Sequence, residues 1–135
     1  MLVVVSDITE RMEAEQQLRE REEQYRNVFE ATSDGLDILD LDGFLVEVNP
    51  AFCQIYGYTR EELIGMNVSS LVPPASQPIA TEGMETLKAG MDYKVTADAQ
   101  GLRKDGTTFS AEAHGIPFTY RGQRHILVLR SLKTT

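Results

Sequence analysis

The sequence predicts an α+β domain in which helices cover one face of an antiparallel five-stranded sheet, with a long helix before the sheet. Turn dipeptides at Asp42-Gly43, Asp105-Gly106 and Arg121-Gly122 separate β-rich segments, so neighbouring strands should pair through tight hairpins. A helical region stands between the first two strands and the last three. This segregation of helices and strands is typical of α+β folds.

Composition and charge limit the class of protein. The chain has 135 residues, 41% of them hydrophobic, which suits one domain with a core. A net charge of −8 argues against a nucleic-acid partner, which would need clustered Lys and Arg. The apolar segment 2–5 is too short to cross a membrane, and the single cysteine, Cys53, cannot form an internal disulfide. We therefore expect a cytoplasmic protein without direct membrane insertion.

The first 30 or so residues predict a strand and then a long helix. Segment 2–6 is rich in β-branched residues and predicts a strand, either the last strand of a preceding module or an extra strand of this domain. Asp7 followed by Glu10 is a helix-start pattern. The helix should therefore begin at this point and continue to about Glu30.

Charged residues cover most of this helix, and its apolar side chains form a narrow stripe. In a strict heptad, Arg11, Glu15 and Glu22 would fall at seam positions, which predicts a weak two-helix association instead of a stable coiled coil. Alternatively, the C-terminal end of the helix docks on its own domain, and both arrangements can hold together. The residues proposed for this dimer and signalling surface are Ile8, Met12, Leu18, Tyr25, Val28 and Phe29.

Two short capped helices are predicted after the first hairpin. Asn49 can accept from the free N–H groups of the first helix, Pro50 suits its first position and Gly57 ends it. Thr59 and Glu62 have the spacing of a capping box for the second helix.

The remaining segments predict one longer helix and three strands. Pro73 and Pro74 end the helical region before it, and the helix should cover 76–88 and end at Gly90. The three strands should lie at about 94–104, 107–119 and 124–132.

The segment 49–65, read with Arg103-Lys104-Asp105-Gly106-Thr107-Thr108-Phe109, resembles the PAS sensory domain family. The resemblance covers roughly 25–132 and implies the PAS fold, including its strand order. In multi-domain sensors, Asp-Ile-Thr followed by a charged helix closes one PAS domain and links it to the next module. The resemblance thus implies that residues 1–24 are the end of a preceding module with a linker helix, and that residues 25–135 are the PAS domain.

The same resemblance implies a function. PAS domains detect and transmit signals and do not catalyse, so the chain would be the sensory domain of a histidine kinase or a cyclic-dinucleotide enzyme. It would detect a small ligand or a partner in its core and relay the change through the N-terminal helix. Its partners would be a second copy of the chain, as a homodimer, and neighbouring PAS or effector domains. The alternative is a ligand-free dimerisation module that sets the spacing between its neighbours.

A cavity between sheet and helices could bind a small apolar molecule, such as a flavin, haem, fatty acid or metabolite, or could be filled as an ordinary core. The small residues Ala111 and Ala113 would leave room there. The candidate lining residues are apolar and lie on elements that the fold points inward: Leu36, Ile38, Phe52, Ile55, Tyr56, Leu63, Met66, Val72, Ile79, Met84, Leu87, Phe109, Ala111, Ala113, Ile126 and Val128.

Two cofactors can be tested against family motifs. Light-oxygen-voltage domains carry a reactive cysteine in Gly-x-Asn-Cys-Arg-Phe-Leu, and the aligned segment 65–71 has Val68 at the cysteine position, which excludes a flavin–thiol adduct. Noncovalent flavin stays open, although Ser69 replaces the arginine. The helix at 76–90 has no histidine for haem. Ligation by Met84 on this helix, or by Met91 just beyond it, is a remote option. The cofactor is therefore none or unknown.

No set of residues predicts catalysis or a metal site. Asp37, Asp40 and Asp42 have part of a calcium-loop spacing but lack its closing glutamate, so we interpret them as solvated turn carboxylates. His114 and His125 have no positioned nucleophile or third acid. We expect a protein that is not an enzyme and has no metal.

Overall fold

The computed structural model describes residues 2–95 and 99–132, and the side chains within these ranges from residue 7 onward. The chain divides into two compact units, Met1–Ala31 and Thr32–Thr135. Among the residues described, no helix is both long and apolar enough to cross a membrane.

The first unit is one helix, α1 (Leu2–Ala31). The strand predicted at 2–6 and the helix start at Asp7 are therefore wrong, because the helix already includes these residues. A β-branched segment forms a strand only when a neighbour satisfies its backbone N–H and C=O groups, and no described strand pairs with it. Within a helix, these groups pair locally.

The second unit contains the antiparallel sheet, as predicted. Its strands are β1 (Gly35–Leu39), β2 (Leu45–Val48), β3 (Tyr93–Val95), β4 (Gln100–Leu102), β5 (Thr108–Tyr120) and β6 (Gln123–Leu132). Their spatial order is β2-β1-β6-β5-β3, and β4 also pairs with β5. The neighbouring inner strands β1 and β6 come from opposite ends of the unit.

The strand predicted at 94–104 consists of two short strands, β3 and β4, which pair with different parts of β5. Residues 96–98 of the predicted strand lie outside the described residues. Beyond β4, Arg103 and Gly106 belong to the turn that leads into β5, since the N–H of Gly106 donates to the carbonyl of Arg103 at 3.0 Å.

The helices between β2 and β3 are α2 (Pro50–Tyr56), α3 (Arg60–Leu63) and α4 (Gln77–Lys88), with 3₁₀ turns at Val68–Leu71 and Pro74–Ser76. The caps are confirmed: Asn49 accepts from the N–H of Phe52, and Thr59 with Glu62 forms the capping box. Gly57 ends α2 at φ 80°, a conformation that glycine adopts without steric cost.

Strand pairing decides which residues face α2 and α4. Asp37 is opposite Val128, and Leu39 is opposite Ile126, so these four side chains share one face of the sheet. Leu36 and Ile38 point to the other face. Leu39 and Ile126 belong to the core cluster, which also includes Phe52 of α2.

Candidate functional site

A cavity of about 110 Å³ lies between α4 and the sheet. The sheet contributes residues from β1, β3, β4, β5 and β6, and α4 contributes one face of the helix. Residues that lie on these walls but were not predicted from the sequence are Leu39, Val68, Ser76, Ala80, Gly83, Tyr93, Val95, Ala99, Gln100, Gly115 and Arg130.

Six of the sixteen predicted lining residues lie on the cavity wall: Val72, Ile79, Met84, Leu87, Ala113 and Val128. Seven others belong to the adjoining core or pack against it: Phe52, Ile55, Tyr56, Leu63, Met66, Phe109 and Ile126. Ala111 is buried on β5, and Leu36 and Ile38 are buried on the opposite face of the sheet. Binding of a ligand by any of these residues stays a prediction.

Two glycines let the walls approach each other closely. A Cβ atom at Gly83 of α4 would lie 2.9 Å from two ring carbons of Tyr93, and one at Gly115 of β5 would lie 2.8 Å from Leu87 Cδ1. Such contacts are shorter than packed carbon atoms allow. The shape of the cavity therefore depends on the absence of side chains at these two positions.

Arg130, which lies on the cavity wall, belongs to a buried ion pair that sequence reasoning missed. Arg130 of β6 donates from Nε to Asp37 Oδ1 at 2.9 Å and from Nη2 to Oδ2 at 3.2 Å. Its Nη1 also donates to the hydroxyl of Tyr56 at 3.4 Å, and the guanidinium lies 5.7 Å from the centre of the Phe52 ring. The pair joins β1, β6 and α2 at one edge of the cavity.

Burial and pairing have opposite effects on these groups. Burial raises the pKa of the Asp37 carboxyl, and the positive charge of Arg130 opposes that rise. Burial lowers the pKa of Arg130, but the Asp37 carboxylate outweighs this and raises it, with a smaller contribution from Tyr56. Burial likewise raises the pKa of the Tyr56 hydroxyl. Arg130 therefore stays charged inside the protein.

The interpretation of Asp37 as a solvated turn carboxylate is wrong, because its side chain is fully buried. Asp40 has the turn role instead, since its Oδ1 accepts from the N–H groups of Asp42 and Phe44. The sequence did contain a signal for this pair. Asp37 is the one acid between the apolar residues Leu36 and Ile38, and Arg130 directly follows the apolar segment 126–129 of another strand. Buried charges of opposite sign usually pair.

A second set of contacts fixes the end of α2 that carries Tyr56. Lys104 donates its backbone N–H to the carbonyl of Tyr56 at 3.0 Å, and Arg103 Nε donates to the carbonyl of Ile55 at 3.1 Å. Lys104 Nζ also lies 2.6 Å from Glu62 Oε2, and this hydrogen bond lowers the pKa of Glu62. The β4–β5 turn thus holds the helix that contacts Arg130.

The residues tested against cofactor motifs have different positions. Val68 lines the cavity, so the position aligned with the reactive cysteine of light-oxygen-voltage domains faces the candidate ligand space. Met84 lines the cavity too, whereas Met91 is 59% exposed.

The apolar stripe of α1 is exposed along most of its length. Met12 is 62% exposed and Leu18 60%, and Ile8, Tyr25 and Val28 are exposed as well. Phe29 is buried, and its ring centre lies 5.7 Å from that of Tyr25.

Comparison with known proteins gives a consistent result. A methyl sulfide methyltransferase-associated sensor of Methanosarcina acetivorans is 27% identical over 87% of this chain and 12% of its own length. The sensor histidine kinase TmoS of Ectopseudomonas mendocina is 29% identical over 68% of this chain and 10% of its own length. The chain therefore spans about a tenth of the length of these two relatives.

Among solved structures, the PAS domain of an HTR-like protein from Haloarcula marismortui superposes with a TM-score of 0.74 at 25% identity. The match covers 90% of this chain and 99% of that one. The sequence also matches the PAS fold family over residues 23–131. The chain therefore belongs to the PAS fold family.

Proposed function

We propose that this chain is a sensory PAS domain of a longer signal-transduction protein, and that it detects a small ligand in the cavity between α4 and the sheet. The relatives that it matches are named as sensors, one of them a histidine kinase, and the chain corresponds to a small part of each. A sensor kinase or a cyclic-dinucleotide enzyme would thus be the parent, and the domain itself would not catalyse.

The cavity carries this proposal. Room for a ligand next to a buried ion pair provides an input for the signal, because a bound molecule can change how Arg130, Asp37 and Tyr56 pack. A ligand shifts a two-state protein only by its difference in affinity for the two states. Contacts with the ion pair would supply this difference, and the change would pass to neighbouring PAS or effector domains and through α1.

We also propose that the chain forms a homodimer through the apolar stripe of α1. Exposed Met12 and Leu18 would lose water-accessible apolar surface in a helix pair. Glutamates at seam positions would keep this association weak, which suits a signalling element. The alternative function, a ligand-free dimerisation module, needs the helix pair but not the cavity.

Native mass spectrometry of the purified chain tests the sensory proposal directly. A molecule that copurifies in the cavity would add mass under native conditions and disappear on denaturation. Ala113→Leu, which fills the cavity, should abolish that added mass, whereas Ala51→Leu on α2, away from the cavity wall, should retain it. Added mass that survives Ala113→Leu would contradict the proposal, and a chain without any would favour the dimerisation module.

A further inference from the structure

Most of the described residues on the cavity wall are apolar, and Arg130 is the one among them with a charged side chain. Its side chain is 14% exposed, and it lies on β6 beside Val128, which also faces the cavity. A guanidinium has five N–H donors, and the three hydrogen bonds to Asp37 and Tyr56 leave two of them for another acceptor.

A second polar group on this wall is Ser76. The residue is 6% exposed, and it precedes α4 in the position where a serine commonly caps a helix. Its side chain makes no capping hydrogen bond here. The hydroxyl is therefore not occupied by the helix that it precedes.

The charge of Arg130 is already balanced by the buried carboxylate of Asp37. An incoming carboxylate would add a second negative charge to a site with one positive charge, and it would lose its hydration on entry. A neutral acceptor such as a carbonyl oxygen can take the remaining N–H groups without this cost.

Building on the proposed sensory function, we propose that the cavity takes a small neutral molecule with an apolar body and one hydrogen-bond acceptor, anchored by Arg130 and Ser76. The volume agrees with this class: about 110 Å³ is close to the ~150 Å³ of an engineered protein cavity that binds benzene. Because this volume is below that of the benzene-binding cavity, ketones and aldehydes of no more than about seven heavy atoms are the class of ligand that fits.

Three compounds of seven heavy atoms each test the proposal: cyclohexanone, methylcyclohexane and cyclobutanecarboxylate. Each is titrated into the full chain while the Nε–H resonance of Arg130 is followed by NMR. Affinities are compared after division by each compound's own octanol–water partition coefficient, because a hydrocarbon leaves water more readily than a ketone. On this scale cyclohexanone should bind at least about tenfold more tightly than either of the others, as one hydrogen bond to a charged group implies. It should also shift the Arg130 resonance.

Variants identify the anchor. Removing Arg130 alone would leave Asp37 unpaired, so Arg130→Met is combined with Asp37→Asn, and this double variant should lose the tenfold preference for cyclohexanone. Arg124→Met, on the same strand at an exposed position, should keep it. Ala113→Leu should block all binding.

The results separate this inference from the proposed function. Equal binding of cyclohexanone and methylcyclohexane would overturn the anchor while leaving a ligand cavity in place. Tighter binding of the carboxylate would overturn the neutral class, as would a preference that persists in the double variant. A chain that binds none of the three would overturn the inference, whereas the sensory proposal is decided separately by the mass that copurifies with the chain.

Discussion

The carboxylate of Asp37 and the guanidinium of Arg130 are 93 residues apart in sequence and form a two-point ion pair with N–O distances of 2.9 and 3.2 Å. Asp37 is on β1 and Arg130 is on β6, the two strands that bring the ends of the second unit together. Tyr56 extends the pair to α2. The same contact thus links the two inner strands of the sheet and holds Arg130 in the cavity wall.

Breaking this pair should destabilise the domain. Arg130→Met leaves the Asp37 carboxylate buried without a partner, so the free energy of unfolding should fall by about 3–5 kcal/mol. Urea unfolding followed by far-ultraviolet circular dichroism measures the loss.

The double variant Asp37→Asn with Arg130→Met is the matched comparison, and it should recover much of that loss because no unpaired charge remains. Lys104→Met, which removes an exposed ion pair, should have a far smaller effect. A double variant as unstable as Arg130→Met would show that packing of the arginine, not charge pairing, is what matters.

The pH dependence of Arg130→Met should reveal the buried carboxyl. The positive charge of Arg130 lowers the pKa of Asp37, and burial raises it. Without the guanidinium only the effect of burial remains, so the pKa of Asp37 should rise further. A carboxyl whose pKa is higher in the folded state than in the unfolded state favours folding when it is protonated. Its contribution to stability is therefore lost as the pH rises through the pKa of the folded state.

The stability of Arg130→Met should therefore increase, relative to the double variant, as the pH falls from 8 to 5. Urea midpoints at several pH values measure this difference. A constant difference across the range would mean that water reaches Asp37 in the variant and that its pKa is close to normal.

The sequence was sufficient for features with local signals. The caps at Asn49 and Thr59 and the turn at Gly57 involve contacts within a few residues, so their residue types and spacing identify them. The wall of the cavity depends instead on which residues face each other across strands. On β1 the pairing places Asp37 and Leu39 on the face of the sheet that the helices cover. No local signal indicates whether these two residues or Leu36 and Ile38 occupy that face.

Two further differences also have non-local causes. The pairing of Asp37 with Arg130 joins opposite ends of the domain, so it appears only when β1 and β6 are side by side. The segment at 2–6 has β-branched residues, but strand propensity has an effect only where a partner strand is available.

Asn49 should contribute more stability than an ordinary helix cap. Its Oδ1 accepts from the N–H groups of both Phe52 and Leu36, and its Nδ2 donates to the carbonyl of Asp34. The side chain is fully buried, so Asn49→Ala also leaves backbone groups without partners. We expect a loss of about 2–4 kcal/mol in unfolding free energy, above the ~1 kcal/mol typical of a cap.

Asn67→Ala provides the comparison for this variant. Asn67 caps the Val68–Leu71 turn and also donates to the carbonyl of Asp42, but its surroundings are more exposed. Its loss should stay near the ordinary value for a cap. Equal losses for the two variants would rule out a special role for burial of Asn49.

Gly83→Ala should destabilise the protein even though alanine is the better helix former. The propensity gain in a helix is about 1 kcal/mol, but the new Cβ would lie 2.9 Å from the ring of Tyr93. Because the Tyr93 ring would have to give up its packing against α4, we expect a net loss of about 1–3 kcal/mol. Combining Gly83→Ala with Tyr93→Leu should restore stability. Destabilisation that persists with the smaller side chain would place the strain elsewhere.

The last prediction concerns the dimer that α1 is proposed to form. The helix has 30 residues and is about 45 Å long at ~1.5 Å per residue, with Met12 and Leu18 exposed on it. Changing both residues to glutamine removes the apolar surface and keeps the helix propensity, so the variant should be monomeric at concentrations at which the natural chain is a dimer.

Sedimentation equilibrium between about 1 and 100 µM, the range expected of a weak association, measures the dissociation constant of each protein. Glu13→Gln, on the charged side of α1, should dimerise at least as well as the natural chain, because it only reduces repulsion between acidic helices. A natural chain that is monomeric throughout this range would refute the dimer. A glutamine variant that still dimerises would place the interface on another surface, and α1 would then have no part in holding two copies together.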